Sequence, residues 1–67
     1  MFTNREKEVL ELLCKGYTNI EIGEKLNISF HTAKAHVASI LRKLQAKNRL
    51  LAALKYRENK YSKERKV

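Results

Sequence analysis

The sequence contains no Pro, no Trp and no Asp, and only two Gly and one Cys. A single cysteine, Cys14, excludes an internal disulfide and any metal cluster built from thiolates. With Gly at positions 16 and 23 alone and Pro absent, turn punctuation is too sparse for a strand-rich domain, and the chain reads as all-helical. No apolar run approaches the roughly 18–20 residues of a membrane span, and no signal-peptide pattern is present, so the cytoplasm is the default compartment. The 67 residues allow one small domain. A chain of this size buries only roughly 60% of its unfolded surface, which leaves no room for a deep catalytic pocket. There is no Ser/His/acid constellation at credible spacing, no Gly-rich phosphate loop and no metal-ligand set. Neither an enzyme nor a cofactor is expected.

Acidic residues are scarce in one half. The formal net charge is +8, from 15 Lys/Arg against 7 Glu. Residues 1–28 hold four Lys/Arg and five Glu, whereas residues 29–67 hold eleven Lys/Arg and two Glu. From Ser29 to Arg57 there is no acidic residue. A solvated surface built for solubility alone mixes both signs. A one-signed half implies a polyanionic partner, with nucleic acid ahead of a membrane surface.

Four helices are legible. Thr3-Asn4-Arg5-Glu6 fits a capping box, followed by apolar Val9, Leu10, Leu12 and Leu13, with Gly16 suited to the left-handed residue that ends the helix. Cys14 reads as a small core residue. Thr18-Asn19-Ile20-Glu21 is a second capping box opening a short helix with Ile22 and Leu26 on one face; Asn27 can close it. Ser29 caps a third helix over about 30–44. Phe30, Ala33, Val37, Ile40, Leu41 and Leu44 form its apolar stripe. The opposite face carries His31, Ala35, Ala38, Ser39 and Arg42, flanked by Lys34 and Lys43. The small residues there let the backbone approach a surface closely. A fourth helix, about 48–58, starts near Asn48. Leu50, Ala53 and Leu54 form its stripe, with Leu51, Ala52 and Tyr56 outside it. A helix apolar on more than one side is buried twice, by core and by a partner chain. Residues 58–67 lose periodicity and read as a basic tail, frayed or disordered. The domain proper is thus 1–57.

The second and third helices are separated by about three residues, as in a helix-turn-helix. Gly23 is small where the third helix crosses the second, Ile28 plugs the turn into the core, and Ala33 faces back toward helix two. Any three-helix bundle with a short loop is the duller alternative. At this point the sequence resembles a known family. Phe2-Thr3-Asn4-Arg5-Glu6-Lys7-Glu8-Val9-Leu10, Gly16-Tyr17-Thr18-Asn19-Ile20-Glu21-Ile22-Gly23 and Leu26-Asn27-Ile28-Ser29-Phe30-His31-Thr32-Ala33-Lys34-Ala35-His36-Val37 carry the likeness. Ile40, Lys43-Leu44 and Arg49 with Ala53 extend it. Together they resemble the LuxR/FixJ-type (GerE-like) DNA-binding domain of bacterial transcriptional regulators, over roughly residues 2–56. This chain has Ile20 where that family commonly has Lys, Gly23 for Ala, Ala33 for Val, Gln45 for Gly, and Ala35 for a larger polar residue.

The resemblance implies a four-helix bundle with a helix-turn-helix and no wing. It implies a third helix in the DNA major groove, a fourth that dimerises, and transcription regulation as the function. Candidate DNA contacts are then Thr18, Asn19, Ser29, His31, Thr32, Lys34, Ala35, Ala38, Arg42, Lys43, Lys47 and Arg49. Lys34, Lys43, Lys47 and Arg49 would clamp phosphates; Ala35 and Ala38 would meet thymine methyls. Candidate dimer contacts are Leu51, Ala52, Lys55 and Tyr56. His36 is read as structural or phosphate-contacting rather than catalytic, Arg49 alternatively as a tie from helix four to helix three, and Glu8 as a partner for a cation of helix three. Tyr61 is read as a dimer contact or as merely exposed. The expected partners are double-stranded DNA and a second copy of the chain, with no membrane. The alternative is a small dimerisation partner that pairs with a larger regulator of the same family.

Overall fold

The computed structural model describes residues 2–64, with side-chain surroundings through Arg57. Four helices follow one another: α1 (Asn4–Cys14), α2 (Asn19–Leu26), α3 (Phe30–Leu44) and α4 (Arg49–Glu64). No strand occurs among the described residues.

Both capping boxes form. Glu6 N donates to Thr3 Oγ1 at 3.1 Å while Thr3 N donates to Glu6 Oε1 at 2.9 Å. At α2, Glu21 N donates to Thr18 Oγ1 at 3.2 Å and Thr18 N to Glu21 Oε1 at 2.8 Å. Each box satisfies two backbone donors that would otherwise have no partner in the first turn. At α3, Ser29 Oγ accepts from Thr32 N at 3.0 Å. Three corners close in one way, each with a left-handed residue: Gly16 (φ 90°), Asn27 (φ 57°) and Gln45 (φ 55°). The next residue's N–H then reaches five positions back, Tyr17 to Leu12 O at 3.1 Å, Ile28 to Gly23 O at 2.9 Å and Ala46 to Leu41 O at 2.9 Å. These bonds take up carbonyls left over at each helix end. Gly and Asn suit the left-handed conformation; Gln carries a Cβ penalty and no compensating local bond.

The core draws on every helix. Val9, Leu10 and Leu13 come from α1, Ile22 from α2, Ala33, Val37 and Ile40 from α3, and Ala52 from α4. Leu10, Ile22, Ile40 and Val9 are the largest side chains fully removed from water, each contributing about 1.5–3 kcal/mol of burial. Leu12, Cys14, Leu26, Ile28, Leu41 and Leu44 pack around them.

Several expectations are corrected. On α4, Ala52 is fully buried while Leu50 is 68% and Leu54 46% exposed. The helix therefore sits rotated from the expected Leu50/Ala53/Leu54 stripe. The short Ala52 side chain lets α4 lie close to the core, which leaves the leucines outside. Phe30, placed in the apolar stripe of α3, is 43% exposed. It occupies the first helical position, beyond the reach of the core, and meets the His31 ring edge-on at 5.6 Å. Gly23 is tight against the turn rather than against the body of α3: a Cβ there would lie 2.8 Å from Ile28 O. The backbone of α4 also continues through Glu64 instead of ending near residue 58. No Gly or Pro follows Gly23 to stop it.

Candidate nucleic-acid interface

The outer face of α3 follows from its inner one. Ala33, Val37 and Ile40 are buried, so at about 100° per residue His31, Lys34, Ala35, Ala38 and Arg42 turn outward, and all five are exposed. Thr32 and Ser29 are exposed at the start of the helix, where Ser29 Oγ donates to Thr32 Oγ1 at 2.9 Å. Thr18 is exposed and Asn19 half-buried at the start of α2. Lys34, Arg42 and Lys47 have no side-chain partner among the described residues. His36 is half-buried on the flank of α3.

Other expected clamps are committed inside the chain. Lys43 Nζ donates to Glu6 Oε1 at 2.8 Å and lies 5.7 Å from the Phe2 ring centroid. Ser39 Oγ donates to Glu6 Oε2 at 2.9 Å. One buried carboxylate thus holds two residues a turn apart on α3, together with the cap of α1. Its pKa falls from 4.5 to about 2, first through the Lys43 bond, then through the Thr3 backbone and the Ser39 hydroxyl. The acidic partner of α3 is Glu6; Glu8 instead pairs with Arg5 at 3.2 Å. Neither role of Glu6 beyond its cap has a local signal, because its partners lie 33 and 37 residues away.

Arg49 does tie α4 inward, but to the start of α2 rather than to α3. Its Nη2 donates to Tyr17 O at 2.8 Å and its Nη1 to Asn19 Oδ1 at 3.1 Å. Lys55 Nζ donates to Leu44 O and Gln45 O, both at 3.1 Å, and so caps the negative end of α3. Tyr56 Oη donates to Glu11 Oε2 at 2.8 Å, and this bond, more than burial, raises the phenol pKa. Of the four expected dimer contacts, Ala52 is in the core, Lys55 and Tyr56 hold the chain to itself, and Leu51 lies on the surface at 38% exposure. Leu50 and Leu54 were missed as surface residues, since apolar character alone does not tell which side of an amphipathic helix faces the core. Ile20, beside Asn19 at the start of α2, is likewise exposed, at 60%. Tyr61 lies outside the residues whose side chains are described. No group of three or more His, Cys or Glu among the described residues could hold a metal ion. No described helix is long and apolar enough to cross a membrane.

Residues 1–56 match the family model described as bacterial regulatory proteins, luxR family. The chain belongs to the LuxR family. Its helix-turn-helix domain is that of DNA-binding transcription regulators, a family of regulatory proteins rather than of enzymes. Among its relatives is YhjB of Escherichia coli (strain K12), whose name describes an HTH-type transcriptional regulator. It is 50% identical over 50 residues, covering 75% of this chain and 25% of the relative. The response regulator protein VraR of Staphylococcus aureus (strain NCTC 8325) is 44% identical over 54 residues, covering 81% of this chain and 26% of VraR. VraR of Staphylococcus epidermidis shows the same figures. The chain spans about a quarter of the length of these relatives.

Proposed function

We propose that the chain binds double-stranded DNA sequence-specifically as a dimer, with α3 in the major groove, and so regulates transcription in the bacterial cytoplasm. The supporting observation is the outer face of α3. His31, Lys34, Ala35, Ala38 and Arg42 are all exposed along one line, in a stretch from Ser29 to Arg57 with no acidic residue. Ala35 and Ala38 are small enough for the helix to sit deep, where their methyl groups meet thymine methyls. His31 and Arg42 hydrogen-bond to base edges. Lys34 and Lys47 neutralise phosphates, joined by Ser29, Thr32, Thr18 and Asn19. Lys43 and Arg49 act from behind, one holding α3 to α1 and the other holding α4 to α2.

The dimer face rests on Leu50, Leu51 and Leu54, which form an exposed apolar surface on α4. Two copies joined there place their α3 helices about one DNA turn apart, so the site is an inverted repeat. The same leucine face suits the fourth helix of a larger relative, and a mixed dimer is the second reading.

Selection of binding sites from random duplexes tests both specificity and palindromy. A salt titration on a selected duplex is expected to give a slope of about −4 to −8 for a dimer. A flat response would remove the nucleic-acid reading.

A further inference from the structure

We infer that Arg49 is a positioning residue for DNA contact that acts through Asn19, given that the start of α2 meets the DNA backbone as proposed above. Arg49 is the first residue of α4, yet its guanidinium reaches the start of α2, with Nη2 on Tyr17 O at 2.8 Å and Nη1 on Asn19 Oδ1 at 3.1 Å. A guanidinium only donates. The Asn19 atom facing it is therefore the carbonyl oxygen, and the Nδ2 group, with both its N–H donors, points to the other side of the carboxamide. A phosphate oxygen only accepts. An Asn19 free to flip would present its acceptor to the DNA backbone about as readily as its donors. The Arg49 bond removes that wrong orientation before DNA arrives.

The second bond, to Tyr17 O, makes the arrangement specific to arginine. Two nitrogens of one rigid plane are pinned at two points, one on the backbone and one on Asn19. A lysine at this place carries the same charge but has a single nitrogen on a flexible stem, and it does not reproduce the planar fork. Arg49 and Asn19 are both half-buried, so water competes poorly for the bridge. The tie also makes the leucine-bearing helix the element that sets a DNA-facing amide. The two proposed surfaces are thereby linked through one side chain.

The test is an anisotropy titration of the full chain on a mixed-sequence, fluorescein-labelled B-DNA duplex, at one fixed salt concentration and then across a salt series, for wild type, Arg49→Lys, Asn19→Ala and the double variant. A neutral carboxamide displaces no counterion, so losing its hydrogen bond weakens binding at an unchanged salt slope. Each single variant is expected to bind roughly three- to tenfold more weakly at fixed salt, and the double variant no more weakly than the weaker single one. Asn19→Asp keeps an acceptor for Arg49, hence the bridge and the fold, but removes the donors; it too binds more weakly by at least that factor. Wild-type affinity in Arg49→Lys, or a double-variant loss equal to the product of the single losses, overturns the inference, because Arg49 then acts by charge or by direct contact. Wild-type affinity in Asn19→Asp overturns it as well, whether or not the arginine variant folds. A flat wild-type titration is a separate result, and it sinks the DNA-binding reading itself.

Discussion

Lys43 Nζ lies 2.8 Å from Glu6 Oε1, so a cation near the end of α3 is neutralised by the first turn of α1. This pair joins residues from the two halves of the chain that carry opposite excess charge. It makes Glu6 a determinant of stability and takes Lys43 out of the set of open phosphate clamps.

The pair gives the fold an acid-sensitive window. The Glu6 pKa is lowered from 4.5 to about 2, so the folded state binds its proton less readily than the unfolded chain does. Its contribution is complete above pH 4.5 and is lost as pH falls toward 2. Glu6→Gln is expected to lower the melting temperature at neutral pH and to flatten its decline across that window. Circular dichroism melts over a pH series check this; parallel curves for the two proteins would refute it.

Lys34 and Lys43 are expected to behave differently despite equal charge. Lys34→Ala should weaken binding across DNA sequences and reduce the salt slope by about 0.9, with little change in melting temperature. Lys43→Ala should lower the melting temperature through loss of the Glu6 contact and leave the slope nearer wild type. Fluorescence anisotropy titrations beside thermal melts separate the two. Equal slope losses would show that Lys43 leaves Glu6 for a phosphate.

Gln45 holds a left-handed backbone at φ 55° with an exposed side chain. Gln45→Gly relieves a Cβ penalty of about 1–2 kcal/mol, offset by roughly 0.5–1 kcal/mol of added chain freedom in the unfolded state. A net gain of about 0.5–1 kcal/mol should appear in urea unfolding at unchanged m-value. A loss of stability would mean that the Gln side chain itself supports the corner.

Neighbours on α4 should have opposite phenotypes. Leu54→Glu lies on an exposed surface and should leave unfolding within about 0.5 kcal/mol of wild type while abolishing paired occupancy of an inverted-repeat duplex. Ala52→Glu places a charge in the core at a fully buried position and should prevent folding. Sedimentation with and without DNA, together with circular dichroism, reads both. Undisturbed paired binding by Leu54→Glu would discard the leucine face.

The legible parts of the fold were those decided within four or five residues. Both capping boxes, the Ser29 cap and the closures at Gly16 and Asn27 depend on local backbone chemistry, and they form as their residues predict. The inner face of α3 was legible for a similar reason, since Ala33, Val37 and Ile40 recur at helical spacing.

What escaped was decided by packing at a distance. α4 has apolar residues on more than one side, so periodicity could not tell whether Ala52 or Leu50 faces inward; the close seating of the small residue decides it. The commitments of Lys43 and Lys55 were equally hidden, and for Arg49 an inward tie was legible but its partner at the start of α2 was not. Each cation looks the same in sequence, and only the approach of Glu6, Asn19 or the last carbonyls of α3 distinguishes an internal tie from an open charge.

The contact at Gly23 has a kinetic consequence. The carbonyl of Ile28 stands where a methyl group would otherwise be, so α2 and the corner before α3 have no slack between them. On the DNA-binding reading proposed above, a corner seated this tightly leaves orientation and salt, rather than a slow rearrangement between the two helices, to set the rate of encounter with a duplex.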